Sequence, residues 1–76
     1  MADEIWTIKR LLDWTTEYLK KNNIDEPHLE AEILLAHALN TERIRLYIDF
    51  EKVVDKNTLE TFKGSIKRRA KAGTSA

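Results

Sequence analysis

Apolar side chains recur every three or four residues over most of the chain, and this spacing is typical of helices with one buried face. The first such segment follows Thr7, which can cap a helix by accepting a backbone N–H group. It ends at Asn22 and Asn23, which can adopt the left-handed geometry that closes a helix. We therefore predict a first helix between Thr7 and Asn22. Its apolar stripe comprises Ile8, Leu11, Leu12, Thr15, Tyr18 and Leu19.

A second helix is predicted to begin at Pro27, since the first helical position needs no N–H donor. Between Ile33 and Leu39 the only polar residue is His37. A helix that is apolar on every side is buried on every side. We therefore expect this helix to lie at the centre of the fold, with Asn40 as its C-cap. His37 is expected to be a neutral imidazole that is hydrogen-bonded in the core.

A third, short helix is predicted to follow Thr41, which can serve as its N-cap. Residues 49–54 have no helical period and are predicted to form a connector that is fixed to the core by Phe50, Val53 and Val54. The inner face of the third helix is expected to comprise Ile44, Tyr47 and Ile48.

The last helix is predicted to start after Asp55, another residue that caps helices well, and to end at Gly73. Gly64 lies inside it, at a cost of about 1 kcal/mol relative to alanine. Either a close helix contact requires a glycine there, or the residue has no structural role. The apolar stripe of this helix comprises Leu59, Phe62, Ile66 and Ala70.

These elements predict an all-α fold, a compact bundle of four to five short helices around a central apolar helix. With 76 residues the chain is long enough for one domain. A core of this size supplies roughly 3–5 kcal/mol of stability. Because the chain has no cysteine, neither a disulfide nor a thiolate metal site can add to that stability.

Composition and charge narrow the class of protein. No apolar run approaches the roughly 18 residues of a membrane helix, and the acidic N-terminus is unlike a signal peptide. We therefore expect a cytoplasmic protein with no membrane partner. The 13 basic and 13 acidic residues balance, but residues 63–76 contain basic residues and no acidic one. This basic segment either complements the helix dipole or meets an anionic partner.

The sequence contains no set of residues that could catalyse a reaction. Its two glycines are far apart, so there is no glycine-rich phosphate loop. His28 and Glu32 are one helical turn apart, but two ligands are too few for a structural metal site. Glu30 and Glu32 point in different directions and are expected to cap the helix or to lie in water. We therefore assign no catalytic, cofactor-binding or metal-binding residue to this chain.

Two stretches of the chain follow a family pattern. Residues 24–39 contain Pro-His, Leu-Glu-Ala-Glu and Ile-Leu-Leu-Ala-His, and residues 43–50 read Arg-Ile-Arg-Leu-Tyr-Ile-Asp-Phe. They resemble the N-terminal helical domain of the HemK/PrmC family, the S-adenosylmethionine-dependent methyltransferases of peptide chain release factors. That family has Leu-Asp-Ala-Glu and Arg-x-x-Leu-Tyr-x-x-Phe at these places. This chain departs from it at Glu30, where Asp is usual, and at Val53-Val54, where a proline-containing turn is usual. The similarity extends over about residues 5–72.

The resemblance implies that residues 1–72 form a substrate-recognition domain and that residues 73–76 begin a linker to an absent catalytic domain. The parent enzyme would methylate the glutamine of a Gly-Gly-Gln motif in release factors with S-adenosylmethionine. This piece of 76 residues would not itself be an enzyme, because it lacks the family's glycine-rich loop and Asn-Pro-Pro-Tyr motif. Its implied partners are the release factor and its own C-terminal catalytic domain, and a monomer is expected. The candidate partner-binding residues, which can form bidentate contacts, are Arg43, Arg45, Arg68 and Arg69.

Two other functions stay open on the sequence. Residues 34–48 could form a helix-turn-helix DNA-binding unit, with Arg43 and Arg45 near the start of the recognition helix. The acidic residues, all of which lie within residues 1–62, oppose DNA binding. The chain could also be a free-standing helical module that offers its surface to one protein. Tight binding to random duplex DNA would favour the helix-turn-helix unit, and a stop codon soon after residue 76 would favour the free-standing module.

Overall fold

Four α-helices make up most of residues 5–74. A computed structural model describes the backbone of residues 5–74 and the side chains of residues 5–70. The helices are α1 (Ile8–Lys21), α2 (Pro27–Ala38), α3 (Arg43–Ile48) and α4 (Lys56–Thr74). Within residues 5–74 the only extended pairing is an isolated antiparallel bridge between Thr7 and Val53. The predicted all-α bundle is confirmed, with four helices. In the described part of the chain, no helix is both long enough and apolar enough to cross a membrane.

Local hydrogen bonds close both ends of α1 as predicted. The Thr7 hydroxyl accepts a hydrogen bond from the backbone N–H of Arg10 at 3.2 Å. At the other end Asn22 is the C-cap, and Asn23 has φ 61°, the left-handed conformation that asparagine tolerates. The predicted limits of this helix are therefore confirmed.

The turn between α2 and α3 differs from the prediction by one residue at each end. Pro27 begins α2 as expected, but its C-cap is Leu39, and Asn40 follows in the left-handed conformation with φ 57°. The N-cap of α3 is Glu42 rather than Thr41, and its side chain makes no capping hydrogen bond. Asparagine still provides the conformational change that ends α2, because it tolerates positive φ.

The connector between α3 and α4 supplies hydrogen-bond acceptors for the start of α1. The first N–H groups of a helix have no partner within the helix. Here the first two N–H groups of α1 donate to the carbonyls of Lys52 and Phe50, at 3.0 and 2.9 Å. The N–H of Val54 donates to the Trp6 carbonyl at 2.7 Å. Main-chain bonds thus fix the connector, with Val54 buried. Val53, predicted to lie in the core, is 59% exposed.

The centre of the fold is shared by α1 and α2, since each packs against all three other helices. The prediction that α2 is buried on every side is wrong, because Ile33 is 46% exposed. The prediction of a core position for His37 is also wrong, since this residue is exposed. Three neighbouring helices are too few to surround α2, so its outer face meets water. The largest fully buried side chains of the core are Leu11, Leu12, Thr15, Leu19, Leu35, Leu46, Phe62 and Ile66.

The orientation of α3 contradicts the prediction. The expected inner residues Ile44, Tyr47 and Ile48 are 63%, 43% and 62% exposed, whereas Leu46 is fully buried. Among the described residues α3 packs against α1 and α2 but not against α4. A helix of six residues in this position contributes one side chain to the core. Periodicity predicts which residues share a face, and it does not predict which face meets the neighbouring helices.

The start of α4 agrees with the prediction and its end does not. The Asp55 carboxylate accepts hydrogen bonds from the N–H groups of Asn57 and Thr58, at 3.1 and 3.4 Å, and so caps the helix. The helix continues through Gly73 to Thr74, so the predicted end at Gly73 is wrong. The predicted linker, residues 73–76, extends beyond the described part of the chain. The inward-facing residues of α4 are Phe62, Ile66 and Ala70, which are buried, and Leu59, which is half-buried.

A row of aromatic rings along α1 packs against a lysine of α4. Trp14 stacks on Tyr18 with 5.3 Å between ring centroids, and Trp6 meets Trp14 edge-on at 6.3 Å. The Lys63 ammonium group of α4 lies 4.1 Å from the centroid of the Trp6 ring and 5.0 Å from that of Trp14. An ammonium group in this position is attracted to the ring faces. Cation–π contacts therefore add to the apolar packing of α4 against α1.

We predict that Leu35→Ala lowers the free energy of unfolding by roughly 2–5 kcal/mol, because it leaves a cavity at a fully buried position. Urea denaturation followed by circular dichroism measures the change. Ile33→Ala is the matched control, since it shortens a half-exposed side chain of the same helix and should cost much less. Equal losses in both variants would contradict a core built around this side of α2.

Gly64→Ala is predicted to raise the free energy of unfolding by up to about 1 kcal/mol. A Cβ atom at this position would have no atom within 4 Å, so a close helix contact does not explain the glycine. Ser65→Ala, at the neighbouring exposed position, should give a smaller gain. A loss of stability in Gly64→Ala would show that the space around residue 64 is filled.

Candidate functional site

A nearly buried carboxylate joins α2 to α3. The Glu32 side chain is 9% exposed, and its Oε1 accepts hydrogen bonds from Nη2 and Nε of Arg43, at 3.0 and 3.2 Å. The Tyr47 hydroxyl donates to Oε2. His28 Nε2 lies 3.2 Å from the same oxygen, and His28 Nδ1 lies 3.4 Å from the hydroxyl of Thr16 on α1. We call these five residues the Glu32 cluster.

The Glu32 cluster sets the orientation of α3. A carboxylate that is taken out of water is stable only where donors replace the lost water, and both oxygens of Glu32 have such donors. Arg43 and Tyr47 are one helical turn apart, so they can reach the same carboxylate from one face of α3. With that face held against α2, Leu46 enters the core and the opposite face of α3 turns to solvent.

The expectation that Glu32 caps its helix or lies in water is wrong. The N-cap of α2 is Glu26, whose side chain makes no capping bond, while Glu32 points towards α3. The signal that could have indicated this contact lies in the two motifs. Glu32 is the last residue of the Leu-Glu-Ala-Glu motif. Arg43 and Tyr47 are the first and fifth residues of the Arg-x-x-Leu-Tyr-x-x-Phe motif. The two motifs meet in space as the two sides of one hydrogen-bonded contact, which gives them a structural role.

The oxygens of Glu32 are engaged within the domain. A general base needs an oxygen or nitrogen that can reach a proton of the substrate, and the oxygens of Glu32 already accept bonds within the domain. Within the residues whose side chains are described, no three His, Asp or Glu side chains are placed to hold a metal ion. Over the same residues, no buried polar side-chain atom lacks a hydrogen-bond partner. The cluster therefore stabilises the contact between α2 and α3.

The four candidate arginines lie on two helices that share no contact in the described part of the chain. On α3, Arg43 binds Glu32 and its neighbour Arg45 is exposed. On α4, Arg69 Nε donates to Glu30 Oε2 at 2.7 Å, and Arg68 is exposed. The structure therefore does not bring the four residues together into one site. Two of them make ion pairs within the domain, and Arg45 and Arg68 make none among residues 5–70.

Open grooves flank the helices on two sides. A groove between α2 and α4 has a volume of about 440 Å³ and is lined by Leu34, His37 and Phe62, among others. A second groove, of about 410 Å³, lies where α3, the connector and the start of α4 meet, and Arg45 and Val53 line it. The second groove therefore places a candidate arginine beside an exposed apolar residue.

The α2–turn–α3 unit does not present a surface suited to reading DNA. A recognition helix places polar side chains against base edges in the major groove. Here Ile44 and Ile48 occupy the exposed face of α3, and the guanidinium of Arg43 is bound to Glu32. Of the two arginines in the helix-turn-helix alternative, only Arg45 makes no ion pair among residues 5–70, so these contacts count against that alternative.

The ion pair of Glu32 with Arg43 is predicted to couple more strongly than the pair of Glu30 with Arg69. Burial strengthens the first pair, since Glu32 is 9% exposed, whereas Glu30 is 23% exposed. Double-mutant cycles with Glu→Gln and Arg→Gln substitutions, read by urea denaturation, give both coupling energies. For the more exposed pair we expect roughly 0.2–1 kcal/mol. A coupling energy for Glu32 and Arg43 no larger than this would contradict the role of the Glu32 cluster.

Comparison with known proteins places the chain in a family. Residues 10–73 match the family model described as PrmC N-terminal domain. A release factor glutamine methyltransferase of Rhodopirellula baltica is 45% identical over 67 residues, which are 88% of this chain and 23% of the relative. The enzyme of the same name from Geobacter sulfurreducens is 43% identical over 68 residues, 90% of this chain and 24% of the relative.

A third relative agrees with these two. The release factor glutamine methyltransferase of Chlorobaculum tepidum is 36% identical over 67 residues, 88% of this chain and 23% of the relative. The chain thus spans about a quarter of the length of the curated relatives it matches. No solved structure gives a significant match. With a family model matched over residues 10–73 and relatives at 36–45% identity, the chain belongs to the PrmC N-terminal domain family.

Proposed function

We propose that this chain is the N-terminal domain of a release factor glutamine methyltransferase, and that it binds and orients the release factor while a separate catalytic domain transfers the methyl group. The observation that carries the proposal is the similarity to enzymes of that name over nearly the whole chain, combined with coverage of about a quarter of their length. The activity is thereby assigned to the parent protein, and the domain contributes to binding.

The residues of the chain support the assignment of methyl transfer to a separate catalytic domain. Binding S-adenosylmethionine in this family requires a glycine-rich loop, and the two glycines of the sequence do not form one. The one proline is followed by His28, so the Asn-Pro-Pro-Tyr motif is also missing from this chain. The cofactor and the reacting glutamine are therefore assigned to the catalytic domain of the parent, and no residue of this chain is assigned to either.

A separate binding domain can raise the rate of methyl transfer without touching the reacting atoms. Binding energy from contacts remote from the reaction can hold the substrate in a productive orientation. Such orientation requires a rigid binding surface. In this domain, main-chain bonds connect α1 to the connector, and the Glu32 cluster connects α2 to α3.

The same proposal covers partners and location. The partners are the release factor and the C-terminal catalytic domain of the same protein, and the domain acts as a monomer. Release factors work on ribosomes, so the proposed location is the cytoplasm. Arg45 and Arg68, which are exposed and make no ion pair among the described residues, stay candidates for contact with a partner.

The full-length protein that contains this domain is predicted to transfer a methyl group from S-adenosylmethionine to the glutamine of the Gly-Gly-Gln motif of a release factor. Transfer of tritiated methyl groups gives the rate, and mass spectrometry of the factor locates the product. A factor with the glutamine replaced by alanine is the control and should accept none. Absence of transfer to the natural factor would refute the proposed enzymatic function.

Removal of residues 1–72 tests the role of the domain within that enzyme. The rate on the release factor should fall by about 100-fold, as losses of substrate orientation do. The rate on a short Gly-Gly-Gln peptide, which is too small to contact two domains, should be unchanged. Equal losses on both substrates would mean that the domain supports the fold of the catalytic domain and does not bind the factor.

A further inference from the structure

The outer side of α3 and the adjoining connector carry exposed apolar side chains. Ile44 and Ile48 are 63% and 62% exposed and lie one helical turn apart, and Val53 of the connector is 59% exposed. The exposed Arg45 lies on the same helix and lines the groove that Val53 also lines. We call Ile44, Arg45, Ile48 and Val53 the α3 surface.

The exposure of the α3 surface is built into the fold. Leu46 is fully buried on the opposite side of the helix, and Arg43 and Tyr47 are bonded to Glu32. A rotation of α3 that buried the two isoleucines would remove Leu46 from the core and take the donors Arg43 and Tyr47 away from the Glu32 carboxylate. The two isoleucines therefore stay in water, because burying them would remove the Leu46 packing and the bonds to Glu32.

The charge of the α3 surface indicates the chemistry of its partner. Arg43 and Arg69 have carboxylate partners, whereas Arg45 has none among the described residues. The groove beside Arg45 has an apolar floor that includes Leu46 and Val54, and its rim also carries Asp49, Lys52 and Asp55. The Asp55 carboxylate is already occupied by two backbone N–H groups of α4. The α3 surface thus fits a protein that presents apolar side chains next to a carboxylate.

The small apolar area of the α3 surface indicates a transient partner. Each exposed isoleucine or valine side chain can bury roughly 100 Å² of apolar surface, so the three offer roughly 300 Å². A stable dimer needs about 800 Å² on each partner. A second copy of this chain or a permanently docked domain would need a much larger apolar face. A protein substrate must leave after each reaction, and a small patch that supplements the contacts at the catalytic site suits that requirement.

We infer that the α3 surface is the site where this domain docks the release factor, through contacts of Ile44, Ile48 and Val53 with apolar side chains and of Arg45 with a carboxylate of the factor. This inference rests on the proposed function and specifies the surface that performs it. Of the four candidate arginines it selects Arg45.

The test uses the full-length enzyme with two sets of substitutions. The double variant Ile44→Gln/Ile48→Gln removes the apolar contact and keeps the charge, and glutamine favours helix formation. Ile33→Gln on the outer face of α2 is the matched control, since it changes another exposed isoleucine away from the α3 surface. Arg45→Glu tests the charge. Thermal melting by circular dichroism checks that each variant folds as the wild type does.

The double variant should raise KM for the release factor at least about tenfold. Its rate on a short Gly-Gly-Gln peptide should equal that of the wild type, and Ile33→Gln should leave both substrates unaffected. Arg45→Glu should also raise KM for the factor, and the increase should shrink at high salt, because salt screens charges at an exposed site.

Three results would overturn the inference and identify the alternative. An unchanged KM for the factor in the double variant, with the wild type active, would place the docking site elsewhere and leave the proposed function intact. Equal losses on factor and peptide would mean that the parent's own catalytic domain covers the α3 surface. A dimeric wild type that becomes monomeric in the double variant would assign the surface to a second copy. A wild type without activity on the factor would instead refute the proposed function, and this inference with it.

Discussion

A carboxylate that is buried between two helices needs a hydrogen-bond donor for each of its oxygens, and in this domain that requirement sets the position of α3. Glu32 projects from α2 towards the short helix, and Arg43 and Tyr47 supply hydrogen bonds to its two oxygens. These two side chains lie one turn apart and both reach Glu32 on α2, which determines the direction of the other faces of this six-residue helix. Leu46 becomes a core residue, and Ile44 and Ile48 stay in water, although their apolar character alone would favour burial.

In this small domain, hydrogen bonds as well as apolar packing hold the elements together. Three helices are too few to surround a fourth. The helices α1 and α2 therefore share the centre, and both keep an outer face in solvent. The connector has no regular structure, yet its carbonyls accept from the first N–H groups of α1, where a helix lacks internal acceptors. That arrangement ties residues far apart in the sequence to one another through the backbone. The rings of Trp6 and Trp14, with the ammonium group of Lys63 above them, join α4 to the same helix.

These features suit the function proposed above, in which the domain holds a protein in place. The motif residues that connect α2 to α3 are used for the fold, and their donors and acceptors are engaged with one another. Under that proposal, the domain offers a partner an outer face whose helices these bonds hold in position. In an enzyme of two domains, this separates the energy of substrate binding from the chemistry of methyl transfer, and the binding contacts then contribute to rate through orientation.

The sequence by itself determined the helices and most of their ends, because capping depends on neighbouring residues: Thr7 and Asp55 accept N–H groups within their own first turns. It also determined the all-α class and the family, which periodicity and ordered motifs express directly. The tertiary structure alone decided which side of α3 meets the core, that Glu32 binds Arg43, and that His37 is exposed. Each of these depends on contacts between residues distant in the chain. Helical spacing predicts which side chains share a face, and only the neighbouring helices determine whether that face is buried.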